Sequence, residues 1–515
     1  MPEVSVVKTG IKGLDSILLG GIPRNNVILV QGVTGSGKTL MGMEFIYRGI
    51  VEYDEPGLIV VFETTPDKLI RDAGGFGWDL EELQQRKKLQ IIFTSPEVFD
   101  QEVRSPDSLL LETASEMGVQ RIFVDGIGLL SPGRGGIDSG RLEYRELLQK
   151  LIESLNRENL TTMLSLEVGS ASDLIATEET TDFLVDTVIQ LGRERIGRRV
   201  HRSLEVVKSR GQDFDMGEHT LRITGGEGLE VFRRVQAPSR TDPKQPTSAT
   251  KRSVIGVEAV DSLIGGGVFD GSTTMVIGVS GVGKTVLSTQ MLREGSLRQK
   301  TRGLLISLDE HPAQIIRNAR TLGLNLEEQV ADGTIKIMFE SPQELDIDSH
   351  FARIVRLVEE NDIQRMVIDG MSSYSTAAAE LGMYRDFFHA IVAYSKQRLM
   401  TTFFNYENPE FLGISSYMPE FPLSSIVDNI VLLSLVEINN SLHRCISVVK
   451  SRGSHHSFDT REFVIGQGGI SLVTLEQDVV PAVPLQHYSS LLGRAPTRFS
   501  QTPRMNDADA LQDPE

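Results

Sequence analysis

The chain is written twice, and that repetition constrains its fold more than any other feature. Gly32-Val-Thr-Gly-Ser-Gly-Lys38-Thr39 recurs as Gly278-Val-Ser-Gly-Val-Gly-Lys284-Thr285, displaced by 246 residues. The same displacement carries Asp15 onto Asp261, Arg71 onto Arg317, Gly77 onto Gly323 and Ser95-Pro96 onto Ser341-Pro342. RIFVDG, ending at Gly126, answers RMVIDG, ending at Gly370, and HRSLEVVKSRG (201–211) answers HRCISVVKSRG (443–453). A period this long marks a duplicated domain rather than a solenoid. The expected organisation is a first domain over 1–235, a linker over 236–252, a second domain over 253–475 and a flexible tail over 476–515. The linker region is rich in Pro, Ser, Thr and charge, and the tail closes on the polar MNDADALQDPE.

Each half alternates short apolar runs with amphipathic stretches. In the first half the runs are NVILVQG, GLIVVFE, LQIIFTS, RIFVDG and TTMLSLE. Near-continuous apolar runs separated by helical patterns predict parallel strands covered on both faces. DTVIQLG and SLEVVKSRG, on either side of the Arg-rich RERIGRR, predict a late antiparallel hairpin. The fold class is α/β, as two tandem P-loop domains.

The Gly-x-x-x-x-Gly-Lys-Thr loop binds phosphate because its glycines let backbone N–H groups turn inward at a helix N-terminus, whose dipole favours anions. Lys38 and Lys284 are expected to reach the β- and γ-phosphate oxygens, and the Thr39 and Thr285 hydroxyls to ligate Mg²⁺. Gly35, Ser36, Gly37, Lys38, Thr39 and Leu40 are the expected ATP-binding residues of the first loop. Ser280, Gly281, Val282, Gly283, Lys284, Thr285 and Val286 are those of the second. Asp125 and Asp369 end apolar strands, where a carboxylate can hold the magnesium-bound water. Glu63 lies 25 residues after Lys38, and Asp309-Glu310 begin 25 residues after Lys284. At a neighbouring strand end such groups can polarise a water or hydroxyl against the γ-phosphate, Asp309 also facing the metal. Their competing role is helix capping in the turns ETTPDK and DEHPAQ.

Composition excludes several classes. Lys and Arg number 52 against 70 Asp and Glu, a formal charge of −18, which as a whole repels nucleic acid. The single cysteine, Cys445, excludes an internal disulfide framework and a Cys-based zinc site. MPEVSVVKTG lacks an apolar signal core and no apolar run approaches the roughly 20 residues of a membrane span, so a soluble, cytoplasmic protein is expected.

These residues, with GGIPRNNVILVQGVTGSGKT, the DEPG segment and FGWDLEEL, make the chain resemble the KaiC family of circadian-clock ATPases from about residue 5 to 475. The resemblance implies two RecA-like domains stacked as a double-ring homohexamer, with Mg²⁺ and ATP held at subunit interfaces. It implies that a neighbouring subunit supplies Lys208, Ser209 and Arg210, with Thr224, in the first ring. In the second ring it implies Arg444, Lys450, Ser451, Arg452, Ser454 and His456. A Lys-x-Arg pair on a strand projects both cations to one face, which suits stabilisation of γ-phosphate charge. The resemblance further implies a slow ATPase in the first ring and an autokinase and autophosphatase in the second. The acceptors counted back from Lys450 are Ser424 and Ser425, whereas the first half has Asp182-Phe183 at that register. KaiB-like and sensor-kinase partners are implied as well.

Three departures stand out. Glu63-Thr64 replaces the family's paired glutamates, Asp309 replaces its glutamate base, and the tail lacks an obvious amphipathic helix. The second leaves compensation by Glu310 or a weak kinase open, and the third argues against a KaiA-like activator. Two readings compete with a clock ATPase and autokinase. One is a RecA-like DNA-repair ATPase using Arg193, Arg195, Arg198, Arg199 and Arg202, against which the net charge stands. The other is a nucleotide-gated scaffold with little catalysis.

Overall fold

The structure, a computed structural model, describes residues 5–105, 108–130, 137–169, 183–196, 199–236, 251–377, 381–407, 423–438 and 440–473. Most of the expected linker, the expected tail, Asp182 and Arg198 lie outside these residues. The chain gathers into two compact units, Met1–Gln236 with Asp346–Arg356, and Ala237–Leu345 with Leu357–Glu515. The first unit thus takes in a segment of the second repeat. There the buried Asp348 carboxylate accepts bonds from Thr220 Oγ1 and Val235 N, both at 2.9 Å.

In the first unit the strands are β1 (Val27–Gly32), β2 (Gly57–Val61), β3 (Leu89–Phe93), β4 (Arg121–Asp125), β5 (Thr161–Glu167), β6 (Thr187–Ile196), β7 (Arg199–Ser209), β8 (Glu218–Thr224) and β9 (Gly228–Phe232). They form one sheet in the order β9-β8-β7-β6-β1-β5-β4-β2-β3. Pairing is parallel from β3 through to β6 and antiparallel from β6 outward. The helix α1 (Lys38–Tyr53) follows β1 directly and buries Met41, Phe45 and Ile46 on one face of the sheet. Phe99, Leu148 and Leu151 belong to a second apolar cluster with Leu29, Leu58 and Val124 of the strands. Apolar cover on both faces explains why the residues of β1 and β2 are all buried and carry no polar alternation.

The second unit repeats this order. Its strands are β10 (Thr273–Gly278), β11 (Gly303–Ser307), β12 (Ile335–Phe339), β13 (Arg365–Asp369), β14 (Thr401–Glu407), β15 (Asn429–Ile438), β16 (Ser441–Ser451), β17 (Arg461–Gly466) and β18 (Gly469–Leu472). They run β12-β11-β13-β14-β10-β15-β16-β17-β18, with α2 (Lys284–Gln299) after β10 and α3 (Met371–Ala377) after β13. The expected late hairpin is β6–β7, and β15–β16 repeats it with a register shift at the matching place. Among the described residues no helix is long and apolar enough to cross a membrane.

The basic residue that opens β4 or β13 is a buried anchor. Arg121 donates from Nε to Glu55 (2.6 Å) and to the carbonyls of Phe45 and Lys8, with its guanidinium 4.7 Å above the Phe45 ring. Arg365 donates to the carbonyls of Val254 and Met291 (2.8 Å each) and to Gln299. Each ties the start of its strand to the helix behind it.

Candidate functional site

In both units the phosphate loop joins the central strand to the helix behind it, so β1 leads to Lys38 and β10 to Lys284. The loop closes through Gly37 and Gly283, at φ 113° and 120°, where a side chain would be strained. Lys38 Nζ donates to the carbonyls of Gly32 and Val33 (2.9 and 3.0 Å), and Lys284 Nζ to those of Gly278 and Val279 (2.9 Å each). Burial lowers the pKa of both ammonium groups, opposed by nearby carboxylates. Ser36 is buried with Oγ unpartnered, and Val282 packs into the apolar core, so only the backbone of Val282 remains to meet a ligand. Leu40 and Val286 pack partly against the same cores as their helices.

Thr39 Oγ1 donates to Asp125 Oδ2 at 3.0 Å, and Thr285 Oγ1 to Asp369 Oδ2 at 2.7 Å. A hydroxyl and a carboxylate converging beside the loop lysine fit one edge of a magnesium ion. Among the described residues no three His, Cys, Asp or Glu side chains gather to hold an ion unaided. Mg²⁺ ordinarily completes its shell with water and phosphate oxygens, so the pair suffices. Burial raises the pKa of Asp125 and of Asp369, and hydrogen bonds from the threonines oppose it.

The second unit holds a cavity of about 480 Å³ beside its loop. Lys284, Thr285, Asp369, Asp309 and Glu310 all line it. Asp309 is exposed within it, and the Cβ of any residue at Gly370 would stand 2.5 Å from Asp309 Oδ2, so glycine is what lets this carboxylate in. Glu310 accepts a bond from Asn318 Nδ2 (3.1 Å), and burial raises its pKa, with Asp369 adding to the shift. In the first unit Glu63 follows β2 and is exposed, and Thr65 caps the next helix without a side-chain bond. The second unit caps the matching helix with His311 Nδ1, which accepts from Ala313 N, so neither acid is spent as a cap.

The Lys-x-Arg pairs do not line this cavity. Lys208 and Arg210 donate to the carbonyls of Val185 and Phe183, at 2.7 and 2.8 Å. Lys450 and Arg452 donate likewise to Val427 and Ser425, at 2.7 Å each. Ser209 Oγ pairs with Thr187 Oγ1 and Ser451 Oγ donates to Asn429 Oδ1, so both serines serve the sheet. Thr224 ends β8, and Arg444 is exposed on β16. Ser454 Oγ donates to Ile264 O and accepts from Arg252, while His456 packs against Phe458 with Nε2 buried and unpartnered. Ser424 and Ser425 stand on the short helix Leu423–Ile426, with Ser425 exposed.

Sequence reasoning missed several residues that the fold brings to these loops. Ser165 Oγ donates to Asp125 Oδ1 (2.5 Å) and accepts from Gly126 N, and Asn405 Nδ2 donates to Asp369 Oδ1 (2.8 Å). Each comes from the strand between the loop strand and the Asp-bearing strand. Two residues on, Glu167 lies opposite Gly32 and Glu407 opposite Gly278. Thr34 donates to Glu167, whose carboxylate stands 3.9 Å from Lys38 Nζ. The signal was present, since TTMLSLE and TTFFNYE both end on glutamate.

The family model for the ATPase KaiC matches residues 7–236 and 254–477. The chain is 31% identical over 503 residues to the circadian clock oscillator protein KaiC of Picosynechococcus sp., covering 96% of this chain and 93% of that one. It is 31% identical over 503 residues to KaiC 1 of Synechocystis sp., with the same coverages. With KaiC of Synechococcus elongatus the identity is 32% over 472 residues, covering 90% of this chain and 88% of the other. Two domains of one architecture, each with a loop lysine, a threonine–aspartate pair and an acid at the neighbouring strand end, match that family along nearly the whole chain, and the chain belongs to the KaiC ATPase family.

Proposed function

We propose that the chain is a Mg-ATP-dependent ATPase whose second domain also transfers phosphate to Ser424 or Ser425 and removes it again, as part of a clock or related signalling system. The observation that carries this reading is the second-domain cavity, where a phosphate-loop lysine, a threonine–aspartate pair and two further carboxylates face one space. Such a set positions a triphosphate and leaves Asp309 or Glu310 to accept a proton from an attacking hydroxyl.

Assembly as a homohexamer belongs to the same proposal. Lys450 and Arg452 lie apart from the cavity of their own domain, which suits cations that serve a neighbour's nucleotide, and Lys208 and Arg210 repeat the arrangement. Ser209, Thr224, Arg444, Ser451, Ser454 and His456 would join them mainly through backbone or ring contacts. KaiB-like and sensor-kinase partners follow from the same family logic, and no feature of the described residues favours a DNA role over it.

The test is to incubate the full chain with Mg-ATP and map phosphate by mass spectrometry beside a Ser424→Ala/Ser425→Ala control. Phosphate on that pair, absent in the control, supports the autokinase. An unmodified pair with ATP still hydrolysed leaves an ATPase or nucleotide-gated scaffold.

A further inference from the structure

The hydroxyl of Ser373 is bonded to the candidate base of the second domain: its Oγ donates to Asp309 Oδ1 at 2.8 Å. It sits in the first turn of α3, three residues beyond Gly370, and it lines the same cavity as Lys284, Thr285 and Asp369. We propose that Ser373 is itself a phosphoacceptor, modified by the ATP bound in its own subunit. The inference rests on the reading of the second domain as a phosphotransfer site.

The chemistry asks for a hydroxyl, a base in contact with its proton, and a route to the γ-phosphorus. A serine hydroxyl is a weak nucleophile until an adjacent base takes its proton, and here the base already holds it. In the transfer, Ser373 Oγ forms a bond to the γ-phosphorus of ATP. The bond between that phosphorus and the oxygen bridging to the β-phosphate breaks, ADP leaves, and the hydroxyl proton passes to the Asp309 carboxylate. No oxidant or further reactant is required. Glu310 is less suited to this role, because its carboxylate is engaged by Asn318 at 3.1 Å.

Position also separates Ser373 from its neighbours. Ser375 Oγ donates to Ser372 O, and Tyr374 is wholly buried, so Ser375 is engaged elsewhere and Tyr374 is closed off from solvent. The repeat displacement between Gly126 and Gly370 places Leu129 where the second domain has Ser373. The first domain therefore has no side-chain hydroxyl at this position. Asp309 is the shorter of the two acidic types, and a base set back by one methylene leaves room for a hydroxyl between it and the nucleotide.

The experiment maps phosphate on the full chain after incubation with Mg-ATP. Five forms are compared: the unaltered chain, Ser424→Ala/Ser425→Ala, that double variant with Ser373→Ala, Lys284→Ala, and Ser373→Thr. The expected result is phosphate on residue 373 in the first two, about tenfold or more above its level in Lys284→Ala, and none at that residue in the triple variant. A Ser373→Thr form keeps the hydroxyl and should carry phosphothreonine, which a purely orienting side chain would not. Phosphate on Ser424 or Ser425 with none on Ser373 overturns this inference and leaves the proposed function standing. Phosphate on Ser373 alone supports the inference and overturns the assignment to Ser424 and Ser425. No phosphate on any of the three sinks both.

Discussion

The two domains share a sheet order and differ at the points where charge is handled. Around the buried arginine, the first domain supplies a carboxylate: Glu55 faces Arg121, and Arg24 holds its other oxygen at 2.7 Å. The equivalent of Glu55 is Thr301, so Arg365 donates only to carbonyls and an amide, its Nε stays buried without a partner, and burial lowers its pKa to about 10. Around the phosphate loop, the first domain offers Glu63 and Leu129, where the second offers Asp309, Glu310 and Ser373. A duplicated scaffold thus holds two different sets of acids and hydroxyls at one place.

The sharpest break in this comparison is expected at the arginines. Arg121→Met should destabilise the first domain by about 3–5 kcal/mol, because it leaves the Glu55 carboxylate in the interior with only Arg24 beside it. Arg365→Met strands no carboxylate at contact distance and should cost less. Denaturant titration of the full chain, with hydrogen exchange read separately on peptides of each half, checks the order; equal losses would remove Glu55 as the cause.

Next come the loop lysines. Lys284→Ala should abolish phosphate transfer within the chain and weaken nucleotide binding in the second domain by about 100-fold or more, leaving hydrolysis in the first. Lys38→Ala should do the reverse. A loss of both activities in either variant, with assembly intact, would mean that the domains do not act separately. In these backgrounds the acids can be compared. Asp309→Glu, which restores a methylene, should change transfer by about tenfold, and Glu63→Asp should slow first-domain hydrolysis by a similar factor. Rates measured by phosphopeptide formation and ADP release decide whether carboxylate reach governs each site.

Much of this was legible in the sequence, for a physical reason. Strands buried on both faces show as unbroken apolar runs, and a loop that wraps phosphate must have glycine at fixed spacing, so β1, α1 and their copies could be placed from local pattern. Arg121 and Arg365 could not, because an arginine before an apolar run reads as a solvated strand end until the carbonyls that surround it are known. Ser165, Asn405 and Ser373 were missed for a related reason. Each meets its aspartate across 36 to 64 residues of chain, and only the sheet order brings them together. The segment 346–356 lies in the second repeat of the sequence and gathers with the first unit, which local pattern alone does not reveal.

The mildest difference between the halves is also the most directly testable by pH. Glu44 on α1 is fully buried, and its carboxylate accepts the backbone N–H of Leu229 at 2.7 Å. The repeat puts Gln290 at the same point, accepting from Ile470 N at 2.9 Å. Burial pushes the Glu44 carboxyl up to about 7, with the bonds from Leu229 and Arg48 opposing it. An acid whose folded value lies above its unfolded one favours the folded state only while protonated. Its contribution is therefore present below pH about 4.5 and is lost as pH rises toward 7. The gap sets a ceiling of roughly 3 kcal/mol. Glu44→Gln, which copies the second domain, should remove that loss, while the broken ion pair with Arg48 offsets part of the gain. A stabilisation of the first domain by about 1 kcal/mol at pH 8, fading to nothing near pH 5, is expected from denaturant midpoints of the full chain. A gain that is the same at both pH values would show that shape rather than charge distinguishes the two helices at this position.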